Sequence, residues 1–264
     1  MFATDRRNIE KIASNSEDRL LLAKLWDKID AGMRRNVPAV TSFLSPREQD
    51  MARYLFGDAS GLIFFGGYEE AERKCLCYVP DYLEDCWLYD TDSPVACLRA
   101  TFHEDQALSH RDFLGGLMAC GIARDTLGDI CVDNGSCDFF VTAQIAGYVE
   151  QSFLSTGRVK LHIQQIPLNQ ARIPEPEFKE IKDTVASLRL DSIISSGFRI
   201  GRSQASQYIA AGKAAIDGLP CEKPDKPVKE GMKISVRGLG KLKIKSVNGQ
   251  TKKDRIWVVI HRYV

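Results

Sequence analysis

Charge is spread so unevenly along this sequence that it marks out a basic module on an acidic body. Residues 182–264 hold 17 Lys or Arg against 7 Asp or Glu, a net of +10. Residues 1–181 hold the remaining 19 basic and 28 acidic residues, a net of −9. The two nearly cancel in a formal net charge of +1. The changeover follows residues 166–177, which contain Pro167, Pro174 and Pro176 and no periodic apolar pattern. Proline interrupts a helix and biases its predecessor toward extended backbone, so this stretch reads as a linker. A length of 264 residues allows two or three domains. At 44% hydrophobic and 27% charged, the composition excludes a disordered or fibrous chain. No apolar run approaches a membrane span, and Asp5, Arg6 and Arg7 interrupt the N-terminus where a secretion signal needs an apolar core. A cytoplasmic protein is expected.

The acidic part divides again. Residues 5–56 look helical: Leu21, Leu22, Leu25, Trp26 and Ile29 recur at helical spacing, and Ser45-Pro46 supplies an N-cap followed by proline at the first helical position. Strand-like runs at 62–65 and 76–79 complete an N-terminal α+β unit, residues 1–90. Residues 91–166 alternate differently: strand at 95–102, helix at 111–122, strands at 129–132 and 139–142 joined through Asp133-Asn134-Gly135, helix at 144–154, strand at 159–163. This β-α-β-β-α-β order is that of ferredoxin-like and RNA-recognition folds. Because Phe139 and Phe140 are adjacent, one of them must point away from the helix-side core. RNA binding by such a sheet needs exposed aromatics on its central strands, and the full aromatic-glycine signature is absent.

Several groups imitate catalytic or metal sites. The eight cysteines form no CxxC pair; Cys75 and Cys77 share one face of a strand, and none of His103, His110, His162 or His261 completes a zinc set nearby. Reduced, core-packed cysteines are expected. His110-Arg111-Asp112 resembles a kinase catalytic loop, but position 117 is Leu where that loop needs Asn. Asp112 is expected to cap or open the following helix. Arg189-Leu190-Asp191 imitates the segment around a pseudouridine synthase aspartate, yet only 73 residues follow Asp191. Asp191 is expected on a helix, on the side away from Leu190, Ile193 and Ile194. No nucleophile elbow, zinc-protease motif or phosphate loop is present in the sequence. No enzyme, metal or cofactor is expected, and no small-molecule substrate.

The basic module carries the positive signal. Leu188, Leu190, Ile193 and Ile194 form a short amphipathic helix with Gly197 at the C-cap; a second helix runs from about Ser203, its N-cap, through Ala205 and Ile209 to Gly212. Arg202, Gln204, Gln207 and Lys213 then face outward. Strands follow at 214–216, after which Asp217-Gly218 turns the chain, and at 232–236 and 241–247; Lys241, Lys243 and Lys245 share one pleat. Such a lysine row fits a phosphate backbone, or protects an edge strand. A basic module of this size on an acidic body is the electrostatic footprint of a nucleic-acid binder.

The residues Leu190-Asp191, Arg202-Ser203-Gln204-Ala205, Ile209, Gly212-Lys213, Asp217-Gly218 and Glu230–Val236 resemble the S4 RNA-binding domain. Asp217 stands where that domain usually has Asn, and Met232 where it commonly has Asp. Residues 196–203, with His110-Arg-Asp-Phe-Leu-Gly115 and Leu127-Gly-Asp-Ile130, are similar to the YlmH family over essentially the whole chain. The resemblance implies an α+β protein: an N-terminal α+β domain (1–90), a ferredoxin-like domain (91–166), a linker (167–181) and an S4 domain (182–264). It further implies a non-catalytic factor of ribosome-associated quality control, with a link to cell division. That factor binds ribosomal RNA and tRNA on the large ribosomal subunit and holds P-site peptidyl-tRNA. The expected RNA contacts are Arg199, Arg202, Ser203, Gln204, Gln207 and Lys213 on the helical pair, with Arg237, Lys241 and Lys243 meeting the backbone. Two alternatives stay open: an RNA-modifying enzyme using Asp191 or Asp112, and a protein adaptor at the division site.

Overall fold

Hydrophobic stripes, caps and alternation build two units, which a computed structural model describes over residues 6–57, 59–90, 92–174, 178–251 and 254–263. The first unit comprises residues 1–174 and the second 175–264.

In the first unit a short helix α1 (Ile9–Ile12) precedes α2 (Ser16–Arg35). Asn15 caps α2 by accepting the Asp18 amide at 2.8 Å, and Leu22, Leu25 and Ile29 form its buried stripe. Strand β1 (Ala39–Leu44) follows. It corrects the all-helical expectation for residues 5–56: Ala39, Thr41 and Phe43 alternate inward, a period of two that the flanking helices obscure. Ser45 and Glu48 then make a reciprocal capping box at α3 (Pro46–Phe56), with Pro46 in its first turn as the sequence suggests. Strands β2 (Leu62–Phe65) and β3 (Lys74–Tyr78) complete an antiparallel sheet of order β1-β3-β2.

The remainder of this unit is β4 (Val95–Thr101), α4 (His110–Ala119), β5 (Leu127–Asp133), β6 (Ser136–Thr142), α5 (Ala143–Ser152), a two-residue hairpin β7 (Ser155–Thr156) and β8 (Val159–Lys160), and β9 (His162–Ile166). The sheet order β5-β6-β4-β9, with antiparallel pairs throughout, is the split arrangement read from the sequence. The final sheet strand begins at His162 rather than 159, because residues 159–160 pair instead with 155–156. At α4, Asp112 accepts the Ser109 amide at 2.8 Å, so it does open the helix.

Both faces of this second sheet are covered. Phe139 packs under α4 and α5 with Phe113, Leu117, Val149 and Phe153. Phe140 points the other way, into a core shared with Phe43, Phe65, Cys75 and Cys77 of the first sheet. Contact there is close enough that a Cβ on Gly128 would lie 2.7 Å from the Phe43 ring. Asp129 ties the sheets together, accepting the Tyr68 hydroxyl at 2.7 Å and the amides of Glu72 and Arg73 at 2.6 and 3.0 Å. Cys75, Cys77, Cys97, Cys131 and Cys137 are free and buried; burial pushes the thiols of Cys77 and Cys97 up to about 12 and that of Cys131 to about 11, away from reactivity.

The proline-rich stretch is less of a linker than its composition suggests. Residues 168–173 belong to the first unit: Leu168, Ala171 and Ile173 border its shared core. Gln170 accepts from Arg99 at 2.9 Å, and the Arg172 amide donates to Asp138 at 2.6 Å. Residues 175–177 of the expected linker lie outside the described residues. From Phe178 the chain is a strand, β10 (Phe178–Val185), not linker; its two inward apolar residues, Ile181 and Val185, sit among charged neighbours that disguise it.

The second unit continues with α6 (Leu190–Phe198), α7 (Arg202–Ala210), β11 (Ala214–Ile216), β12 (Leu219–Pro220), β13 (Lys233–Val236), β14 (Gly240–Gln250) and β15 (Ile256–Tyr263). Its antiparallel sheet has the order β10-β15-β14-β13-β11-β12. Ile181, Ile234, Val236, Leu242, Ile244, Val258 and Ile260 line one face of the sheet and bury Leu190, Ile193, Ile194, Phe198, Ala205 and Ile209 of the helices. Asp217 and Gly218 both adopt positive φ, 48° and 85°, as a tight hairpin turn between β11 and β12 requires.

Candidate nucleic-acid interface

Two helix termini and one hairpin turn assemble the basic surface of the second unit. Helix α6 runs one residue past the expected cap: Gly197 lies inside it, where a Cβ would meet Leu242 at 2.6 Å, and Arg199 takes the left-handed position with φ 55°. The Arg199 amide returns to Ser195 and Ser196, and its side chain is exposed. Gly201, not Ser203, occupies the N-cap of α7 and provides no side-chain cap, and the first turn carries no acidic residue. The leading amides of α7 therefore lie beside exposed Arg202, Ser203 and Gln204, an arrangement suited to an anion.

Beneath this turn lies an interior carboxylate. Asp191 is buried, 3% exposed, contrary to its expected place on the outer side of the helix. The first turn of α7 closes over it. Arg202 donates from Nε to Asp191 Oδ2 at 3.0 Å and from Nη2 to Oδ1 at 3.3 Å; Arg189 adds two bonds at 3.3 Å. Burial raises the Asp191 carboxyl, but the hydrogen bonds and charges of Arg202 and Arg189 together outweigh it and hold the group below its ordinary value. Both arginines keep large exposed fractions, 50% and 41% of their side chains. Each is thus oriented from beneath by Asp191 while its outer edge meets solvent, a preorganised guanidinium pair of the kind that receives phosphate.

Farther along, Gln204 and Gln207 are exposed one turn apart on α7. Tyr208 packs against the core, and its ring lies 5.4 Å below the Lys213 ammonium. The Lys213 carbonyl accepts the Arg237 amide at 2.8 Å, which sets Lys213 beside the β13–β14 turn. Arg199, Arg202, Ser203, Gln204, Gln207, Lys213 and Arg237 thus belong to the helix pair and the strand ends next to it. Lys241 and Lys243 do not join them. They alternate with Leu242 and Ile244, whose side chains face α6, so the two lysines occupy the opposite side of the sheet. The sequence pattern marks Arg189 only as part of the Arg189-Leu190-Asp191 imitation motif and does not mark Tyr208 at all.

No group of three or more His, Cys, Asp or Glu side chains capable of holding a metal occurs among the described residues. Nor is any helix among them long and apolar enough to cross a membrane.

Comparison with known proteins agrees with both units. Residues 102–170 match the family described as "Putative RNA-binding domain in YlmH", and residues 188–234 match the S4 domain. Ribosome-associated protein quality control protein P2 of Bacillus subtilis (strain 168) is 31% identical over 225 residues, covering 84% of this chain and 86% of that protein. The solved structure of cell division protein YlmH from Streptococcus pneumoniae aligns with a TM-score of 0.50 at 20% identity, covering 61% of this chain and 98% of that one, a likeness of fold.

Proposed function

Because this chain belongs to the YlmH family and carries its S4 domain, we propose that it binds ribosomal RNA and tRNA on the large ribosomal subunit and there holds P-site peptidyl-tRNA in ribosome-associated quality control. The observation that carries the reading is the guanidinium pair on buried Asp191 beside the uncapped start of α7. It is a water-facing cationic surface, and its exposed neighbours Ser203, Gln204, Gln207, Lys213 and Arg237 supply hydrogen bonds and charge. Such a surface fits RNA shape and phosphate rather than base edges. The role is one of binding: Asp191, the residue an RNA-modifying reaction would need, is buried under two arginines. Asp112 is engaged in capping its helix.

Sedimentation of the tagged full-length protein through a sucrose gradient tests this. Wild type is expected to travel with the large subunit at low salt, and Lys213→Ala/Arg237→Ala to remain near the top. Arg202 is left intact because removing it also disturbs Asp191. Wild type staying at the top at low salt overturns the ribosomal assignment; a double variant that still sediments moves the contact away from this surface.

A further inference from the structure

The sheet of the second unit has a second face, and its composition is unlike that of a solvated surface. Strand register defines it. Glu180, His261, Lys243 and Lys233 stand in one row across β10, β15, β14 and β13; Lys182, Val259 and Ser246 form the next; Thr184, Trp257 and Asn248 the third. Phe178, Tyr263 and Lys241 lie at the other end on the same side. Both helices of the unit pack on the reverse face. Trp257 and Phe178 nevertheless remain 47% and 48% exposed. The Phe178 ring stacks on His261 at 3.8 Å and 10° between planes, so one aromatic platform is already held rigid. Glu180 lies against Lys182 at 3.1 Å and His261 at 3.6 Å, which leaves this carboxylate engaged from within the face.

Exposed aromatic rings on neighbouring strands, interleaved with lysine, suit a particular ligand. Every unstacked base offers a flat face to an aromatic ring, and its phosphate offers an anion to a lysine. A protein partner fits less well, since lysine is depleted from the centres of protein interfaces and four lysines occur here. His261 and Trp257 are four residues apart on one strand, about 13 Å, so the two platforms are separated by more than one base.

We propose that this face is a second RNA site, taking a single-stranded segment whose bases stack on Trp257 and on the Phe178–His261 pair while Lys182, Lys233, Lys241 and Lys243 meet its phosphates. It is separate from the helix-pair surface and extends the RNA-binding reading without depending on the ribosomal one. Lys241 and Lys243 belong to this site rather than to the helix pair.

The test uses the full chain and two labelled probes, a 12-nucleotide oligouridylate and an RNA hairpin, followed by fluorescence anisotropy. Trp257→Ala is expected to weaken oligouridylate binding roughly tenfold or more, in the range reported by removal of one stacking side chain. Trp257→Phe, which keeps a π face, recovers most of it and shows that the loss is not unfolding. Lys213→Ala/Arg237→Ala leaves oligouridylate binding within about twofold while weakening the hairpin. The proposal is overturned if wild type fails to bind oligouridylate, if Trp257→Ala/Phe178→Ala binds it as wild type does, or if the Lys213/Arg237 variant loses both probes together. Undiminished hairpin binding by the Lys213/Arg237 variant would instead count against the helix-pair surface alone.

Discussion

Removing both arginines from Asp191 should cost far more than removing each in turn, and should invert the local response to acid. The carboxylate is 3% exposed, whereas Arg202 and Arg189 retain half and two-fifths of their side-chain exposure. Arg202→Ala removes two charge-assisted bonds but leaves Arg189 in place; discounted for the exposure of the arginine, the loss is about 1–2 kcal/mol. Arg189→Ala, whose bonds are both 3.3 Å, costs about 1 kcal/mol. The double variant leaves an ionised carboxylate inside with the Ser192 hydroxyl at 3.3 Å as its remaining side-chain contact. A cost of about 3–5 kcal/mol follows, so the two substitutions couple by about 1–2 kcal/mol.

The pH response follows from the same geometry. In wild type the folded carboxyl lies below its ordinary 3.8, so its stabilisation is complete above that value and disappears as pH falls through the lower folded one. Without the arginines burial dominates and the folded value rises above 3.8, so protonation relieves the penalty. The deficit of the double variant relative to wild type should therefore shrink between pH 7 and pH 4.5. Urea unfolding followed by Trp257, with Trp26 and Trp87 replaced by Phe so that the signal comes from the second unit, measures all four proteins. Additive costs at pH 7, or a deficit that grows on acidification, would refute the account of Asp191 as an interior charge held by two partners.

Arg199→Gly relieves the left-handed conformation at φ 55° and should raise stability by about 1 kcal/mol while weakening hairpin binding, a divergence that thermal melts and anisotropy together detect. Gly197→Ala places a Cβ 2.6 Å from fully buried Leu242 and should destabilise by about 1–3 kcal/mol in urea, and combined with Leu242→Ala the loss should be smaller than the sum of the two single losses. Asp129→Ala releases the Tyr68 hydroxyl and two amides and should lower the stability of the first unit by about 2–3 kcal/mol, read from Trp26 fluorescence during unfolding. Lys213→Ala/Arg237→Ala should reduce the slope of log affinity against log salt for the RNA hairpin by about two, one per lost phosphate contact, in anisotropy titrations between 50 and 200 mM.

Much of the fold is written in local patterns. The Ser45-Pro46 start of α3, the Asp217-Gly218 turn and the alternating strands of the ferredoxin-like sheet depend on residues within a few positions of one another, and sequence reading recovers them. What escaped it are strands whose signal is diluted or overshadowed. Phe178–Val185 is mostly charged and follows prolines, and Ala39–Leu44 sits between two strong helices. Ile256–Tyr263 carries a β-branched and aromatic run that reads as a strand, and it pairs with both β10 and β14. The site divides in the same way. That Lys241 and Lys243 share a pleat is a property of one strand, but which side the helices take is decided by Leu242 and Ile244 against α6. Asp191 illustrates the point most sharply: nothing in its own helix marks it for burial, which comes from Arg189, from Arg202 eleven residues later and from the 224–226 segment that accepts the amides of Leu190 and Asp191.

Phe139 and Phe140 set a limit on how RNA can meet the first unit. Alternation requires the two rings to point to opposite faces, and in an isolated ferredoxin-like sheet one of them would be available to stack a base. Here Phe140 is fully buried, tilted against Tyr68 at 5.1 Å between ring centroids and surrounded by Phe43, Cys75 and Cys77 from another sheet of the same unit. Nothing in the strand sequence distinguishes a ring covered by protein from a ring that awaits a base, because the cover comes from residues 43–77. A base could reach Phe140 only by parting the two sheets and breaking the bonds that Asp129 makes across them. Any RNA contact by residues 102–170 would have to be made through their helices, loops or exposed strand edges, while exposed aromatic side chains on a sheet are found at Trp257 and Phe178 in the second unit.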